Sequence, residues 1–345
     1  MASQLRIAYV PNVPLSTGFG GLELQLLRSM EAVQLQGCHV ERLDIWARTL
    51  DVDVVHIMGG FYHQAELVTR LKSMGHAVVI TPMFVRTRPR WTYPMDAWMN
   101  ALPMVTTLHG MRTSMLQSAD ALCALSPAEA VDLAAVFGCS KGRIHVIPNG
   151  VDERFFHADA AMARQRLGAE PYLLCVASIE PNKNQRTVIE AARLLNQRVV
   201  FVGACKHSSD PALQHYMDTF RRLAASDSSI TWIEGLQHDD PLLSSLYAGA
   251  AVHVLASHAE AVGIASLEAA AAGTPLVMSD LATLRSTFGD HVEYCQPRLA
   301  SSIAEAILRA QQRSRTASGL PFLRSWSQIG EVLVDVYRRA LETRH

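Results

Sequence analysis

The segment SHAEAVGIASLEAAAAGTP, residues 257–275, carries two carboxylates, Glu260 and Glu268, eight positions apart on either side of a single glycine. The apolar run AVHVLA at 251–256 reads as a strand feeding this loop, and the alanine-rich run reads as a helix beginning near Ile264. Gly263 lets the backbone approach a ligand closely just before that helix. The amides from about Val262 to Ala265 would lack intrahelical partners, which makes them a ready site for a phosphate or sugar oxygen. Glu268, one turn into the helix, can accept two hydrogen bonds from a vicinal diol such as ribose. Gly273 and Pro275 stop the helix. For either glutamate taken singly, a plain complement to the helix dipole is the competing account.

Two further clusters could do chemistry. FVRTRPRWTYPMDAWM, residues 84–99, brings Arg86, Arg88 and Arg90 together with Trp91, Tyr93 and Trp98. Cations beside interfacial aromatics suit a lipid headgroup or a diphosphate-linked acceptor, at roughly 1 kcal/mol per cation near an anionic surface. The alternative is a long loop whose aromatics cover the core. DVDVVHI holds Asp51 and Asp53, a D-x-D pattern, but these residues introduce a buried strand far in sequence from the glutamate loop, and a turn with a strand start explains them. No other carboxylate or histidine cluster has ligand spacing, and the 14 histidines include no H-E-x-x-H, so neither a metal site nor a cofactor is expected.

These residues need a scaffold, and the strand-like runs supply one. LRIAYV (5–10), CHVERLD (38–44), DVVHI (53–57), HAVVIT (76–81), DALCAL (120–125) and RIHVI (143–147) alternate with helical patterns. YLLCVA (172–177), RVVFVG (198–203), ITWIEG (230–235), AVHVLA and PLVMS (275–279) repeat the rhythm. Apolar strands alternating with helices predict parallel sheets covered on both faces, so the fold class is α/β with two doubly wound, Rossmann-like domains. The boundary falls after the turn-rich PNGVDERFF (148–156): residues 1–156 form one domain and 157–322 the other, with a closing helix in about 323–345 returning to the first. Ligands of open sheets bind beyond the carboxyl ends of the strands, and the cleft between two such sheets is the expected site.

Composition narrows the function classes. The 345 residues are 49% hydrophobic and 18% charged, too many for one ordinary core and enough for two. Thirty-one Lys and Arg against 32 Asp and Glu leave a net charge of −1, without the global field that would gather nucleic acid or an acidic membrane. MASQLRIAYV lacks a basic n-region and a cleavage site, and no uncharged apolar stretch approaches the roughly 18 residues of a membrane span. The six cysteines form no CxxC pair and read as small core residues of a reducing compartment. A cytoplasmic protein follows, with peripheral contact at the inner membrane face left to the arginine-aromatic segment.

The E-x7-E spacing, the PNGVD turn, VASIEPNKN (176–184) before a helix, GLQHDDPLLSSLY (235–247), the late YCQP (294–297) and, more loosely, GFGGLE (18–23) together resemble the retaining nucleotide-sugar glycosyltransferases of family 4, whose fold is GT-B. The subset most similar builds bacterial surface polysaccharides or lipid-linked oligosaccharides, mannosyltransferase-like enzymes among them. The resemblance implies that Glu260 holds the transferred sugar and Glu268 the ribose hydroxyls, with the amides of Val262, Gly263, Ile264 and Ala265 on sugar and phosphate. It implies that Lys183 neutralises the leaving diphosphate, that Gly20 and Gly21 let a loop of the first domain approach it, and that backbone from Leu236 to His238 contacts the base.

Two positions depart from the family pattern. An Arg usually stands five residues before the Lys, where this chain has Ser178, and Arg186 is a candidate substitute. A His usually follows the fourth strand, where this chain has Met83, while His109 in TTLHG reads as a helix residue. A retaining front-face transfer tolerates the loss because the departing phosphate can take the acceptor proton. The expected function is metal-independent transfer of a hexose-type sugar from a UDP- or GDP-linked donor to a saccharide or polyprenyl-linked acceptor. A nucleotide-sugar epimerase on a similar fold and a non-catalytic nucleotide-sugar-binding partner of an assembly complex are the competing readings.

Overall fold

The computed structural model describes residues 4–17, 20–100, 106–205, 209–315 and 319–342. Gly18 and Phe19 of the GFGGLE motif lie outside the described residues. The chain forms two compact units, Met1–Gly150 with Arg324–His345, and Val151–Leu323. The first sheet contains β1 (Arg6–Val10), β2 (His39–Arg42), β3 (Val54–Met58), β4 (Ala77–Thr81), β5 (Ala121–Ala124) and β6 (Ile144–Val146). The second contains β7 (Leu173–Val176), β8 (Val199–Val202), β9 (Ile230–Ile233), β10 (Val252–Leu255), β11 (Leu276–Ser279) and β12 (Glu293–Cys295). All eleven runs named above become strands. β12, inside the YCQP motif, is an edge strand too short to show a period of its own.

The strand orders are β2-β1-β3-β4-β5-β6 and β12-β11-β10-β7-β8-β9, with every pairing parallel. The chain direction across each sheet therefore reverses once, between β1 and β3 in the first and between β7 and β10 in the second. At such a switch point the neighbouring crossovers run to opposite faces and leave a crevice at the carboxyl ends, where ligands of open sheets bind. The loops leaving β7 and β10 carry Lys183 and Glu260.

In the first unit, buried apolar residues line both faces of the sheet, and Ile329, Leu333, Val336 and Tyr337 of the helix Trp326–Glu342 join one of them. That helix is held by polar groups as well. Tyr337 Oη lies 2.6 Å from Tyr9 Oη and 2.7 Å from His56 Nδ1, and His56 Nε2 lies 2.8 Å from Thr81 Oγ1. Burial drives the His56 imidazole down to about 3, so it serves as a neutral bridge. Gly330 brings the helix against Gly21–Leu35, since a Cβ there would run into Ala32 O. The PNG turn has a packing reason of the same kind, because a Cβ at Gly150 would fall 2.7 Å from Trp326 Cα.

The units divide at 150/151, before the boundary expected at 156. The physical reason is Phe155, which is fully buried in the second unit with its ring 5.7 Å from Tyr247.

Candidate active site

β7 ends into a tight stretch, Pro181–Lys183, followed by Asn184 in the left-handed region at φ 58° and then by the helix Gln185–Leu194. Asparagine tolerates that conformation better than most residues. The buried Asn184 amide donates to Ala256 O at 3.1 Å and to Pro297 O at 2.6 Å, joining the ends of three sequence motifs. Asn182 clamps the β10 loop: its Nδ2 donates to Ala259 O, its Oδ1 accepts from Ala259 N, and its carbonyl accepts from His258 N at 2.8 Å.

So held, Lys183 Nζ lies 2.6 Å from Glu260 Oε2, with side chains only 19% and 12% exposed. Burial disfavours the ammonium, but the charge and hydrogen bond of Glu260 outweigh it and raise the Lys183 pKa above its usual 10.5. Ser257 Oγ donates to the same Glu260 oxygen at 3.2 Å, and Thr283 Oγ1 donates to the Glu260 carbonyl at 2.7 Å.

The next helix, Ile264–Ala271, starts from Gly263 at φ 77°. A Cβ on Gly263 would sit 2.9 Å from Leu255 Cδ2, so glycine is required twice over, by conformation and by space. The first bonds back to Gly263 O come from Ser266 and Leu267, and the amides from Val262 to Ala265 precede them.

Glu268 is buried at 3% exposure. Its Oε1 meets His238 Nε2 at 2.6 Å and its Oε2 accepts from Tyr247 Oη at 2.9 Å. His238 follows β9 and Gly235 (φ 76°), and its carbonyl accepts from Arg154 Nη2. That carbonyl, in the stretch from Leu236 to His238 expected to face the base, thus already accepts one hydrogen bond.

The other expected residues sort differently. Ser178 Oγ donates at 2.7 Å to Glu180, whose charge also acts on Lys183, and Arg186 is exposed on the first turn of its helix. Gly20 is extended and Gly21 opens the helix after β1. Among the described residues, a Cβ at Gly21 would have no neighbour within 4 Å, and one at Gly20 would lie 3.6 Å from the Glu23 carboxylate. Arg86 and Arg90 share Asp132 at 3.2 and 2.7 Å, and Arg88 pairs with Asp96 while lying 4.4 Å above the Tyr93 ring. These arginines form a paired network rather than a set of free cations, while Trp91 and Trp98 stand 76% and 65% exposed beside them. Asp51 and Asp53 both bind Arg6, through its guanidinium and its backbone amide, at the start of the sheet. His109 lies in the first turn of Leu108–Ser118, stacked 5.1 Å from Phe137.

Met83 adopts φ 47°, unusual for its type. It is bracketed by Arg112 Nη2, which donates to Pro82 O at 3.0 Å, and by Glu129 Oε1, which accepts from Phe84 N at 2.6 Å. Sequence reading missed Asn182, Asn184, Arg154, Tyr247 and Glu129. The two asparagines of PNKN were visible as a turn signal. The others act through partners that no local pattern names.

Two Rossmann-like units, each with a single switch point, define a GT-B protein, and solved structures agree across the whole chain. Sucrose-phosphate synthase from Thermosynechococcus elongatus superposes with a TM-score of 0.77 at 19% identity, covering 99% of this chain and 100% of that one. HepE from Anabaena, solved in complex with UDP-glucose, gives 0.70 at 14% identity, covering 99% of each. At the sequence level the family model for glycosyl transferases group 1 matches residues 159–318, and that for glycosyltransferase family 4 matches residues 25–155. In these two consecutive segments the chain is similar to the family 4 glycosyltransferases. Among curated relatives, the D-inositol 3-phosphate glycosyltransferase of Streptosporangium roseum is 29% identical over 67% of this chain and 58% of its own length. That of Geodermatophilus obscurus is 30% identical over 66% and 54%. The chain thus matches little more than half the length of these relatives.

Proposed function

We infer that the protein is a retaining, metal-independent glycosyltransferase that moves a hexose-type sugar from a UDP- or GDP-linked donor to a saccharide or polyprenyl-linked acceptor in surface polysaccharide assembly. The observation that carries this reading is the Lys183–Glu260 pair at the β7/β10 switch point, with Glu268 one turn into the helix that follows the Glu260 loop. In the reaction the bond from the sugar's anomeric carbon to the diphosphate oxygen breaks, and a bond to the acceptor oxygen forms on the same face. The acceptor's proton passes to the departing phosphate oxygen.

Lys183 and the amides from Val262 to Ala265 meet the charge that grows on the diphosphate, donors of a kind worth about 3–4 kcal/mol each in well-studied sites. Glu260 holds the sugar hydroxyls and Glu268 the ribose. Gly20 and Gly21 support the reading because packing among the described residues does not require glycine at either position. Exposed Trp91 and Trp98 support an acceptor or membrane contact on the first unit, carried by the aromatic rings with Arg86, Arg88 and Arg90 as their paired border. Inositol 3-phosphate, for which the relatives are named, belongs in the panel of acceptors to be tried.

The test is a pair of variants assayed for nucleotide binding and for turnover. Glu260→Ala is expected to bind UDP or GDP nearly as the wild type does and to lose turnover by orders of magnitude, whereas Glu268→Ala loses nucleotide affinity. Unchanged turnover in Glu260→Ala overturns the assignment.

A further inference from the structure

The two oxygens of Glu268 are held by different elements, Oε1 by His238 from the loop after β9 and Oε2 by Tyr247 from the helix Pro241–Gly249. A carboxylate oxygen accepts two hydrogen bonds, so one acceptor direction remains on each, as a diol requires. The His238 ring is itself oriented. Arg154 Nη2 lies 3.3 Å from His238 Nδ1 and also donates to the His238 carbonyl. A guanidinium can only donate, so toward Arg154 Nδ1 accepts and the ring hydrogen is left on Nε2, facing Glu268, while the Asp152 carboxylate lies 3.7 Å from the same Nδ1. Arg154 is fixed in turn by Asp152 at 3.8 Å and by the Phe155 ring 4.6 Å beneath it. The start of the short helix Glu153–Phe156 thus reaches the buried carboxylate through one imidazole.

We propose that His238 and Tyr247 are positioning residues for the donor's ribose: they set the rotation of the Glu268 carboxylate, and Arg154 sets the tautomer through which His238 does so. This rests on reading Glu268 as the ribose contact. Its consequence is a preference for ribonucleotides over 2′-deoxyribonucleotides that depends on side chains which themselves touch no ribose oxygen.

Binding of UDP, GDP and their 2′-deoxy forms, titrated calorimetrically against the full chain, tests it. The wild type is expected to prefer the ribonucleotide by about tenfold or more, and His238→Ala and Tyr247→Phe to lose most of that preference while binding the deoxy form as before. His238→Gln, which keeps a donor toward Glu268, recovers part of it. Tyr247→Phe preserves the buried ring, and His238 is partly exposed, so neither variant removes core packing. If Glu268→Ala leaves the preference intact, the ribose reading of Glu268 fails and takes the proposal with it. If Glu268→Ala abolishes the preference while His238→Ala and Tyr247→Phe retain it, the ribose reading stands and the positioning proposal is overturned. Tighter binding of both nucleotides by His238→Ala also overturns it, because His238 would then be an occupant of the ribose position.

Discussion

Replacing Lys183 by methionine keeps the aliphatic stem and deletes the ammonium, which strands Glu260 in a site where its side chain is 12% exposed. Removing one partner of a fully buried ion pair costs about 3–5 kcal/mol, and an exposed pair contributes about 0–1 kcal/mol. This pair lies between those limits, and Ser257 still donates to Glu260, so a loss of about 2 kcal/mol is expected for Lys183→Met and a similar loss for Glu260→Gln. The double variant leaves no uncompensated charge and should recover about 1–2 kcal/mol of the summed loss in a double-mutant cycle.

Urea unfolding measures the cycle. Because the Lys183 pKa is raised above 10.5, the ammonium's contribution is fully present below that value and is lost only as pH rises through the folded pKa, so its contribution is level across about pH 6–9. Turnover should behave differently from stability. The double variant regains stability yet remains slower by about 100-fold or more, since the leaving diphosphate has lost its cation. Single variants that unfold at the wild-type urea concentration, with no coupling in the cycle, would refute the pairing. A double variant with wild-type turnover would refute the role given to Lys183.

Two other outcomes follow from local geometry. Gly263→Ala places a Cβ at φ 77° and 2.9 Å from Leu255 Cδ2, and should cost about 2 kcal/mol of stability along with turnover; wild-type values in both assays contradict it. Glu129 is pushed by burial from 4.5 to about 7, against the pull of the Phe84 and Leu125 amides and of Arg112. A carboxyl with a raised folded pKa stabilises fully below the unfolded value and loses that contribution as pH rises to the folded one. The wild type should therefore lose up to about 3 kcal/mol between about pH 4.5 and 7 relative to Glu129→Gln, and parallel pH profiles for the two proteins would contradict it.

Much of the architecture was legible in the chain because strand alternation and helical spacing are local properties. Eleven strand runs, the helix opening at Ile264 after Gly263, and the closing helix at 326–342 all stand where the patterns place them. The site was legible as a set of residues, less so as an arrangement. Glu260, Glu268 and Lys183 are marked by type and spacing, whereas the pairing of Arg86, Arg88 and Arg90 with Asp132 and Asp96 is not. Asp132 lies 46 residues from Arg86, and no pattern in a window of helical or strand length connects them.

Local patterns in the chain mark which segments are strands and helices, which loops carry carboxylates, a lysine and glycines, and, through ordered motifs, the glycosyltransferases it resembles. Strand order is set only once the chain has folded, because an apolar run says that a strand is covered on both faces and nothing about its neighbour. Placing β10 beside β7 brings Glu260 to Lys183 across 77 residues, lets Asn184 bind the two loops together, and leaves His238, Tyr247 and Arg154 around Glu268. Those contacts depend on burial and on partner geometry, which the chain specifies only once the whole second unit has packed.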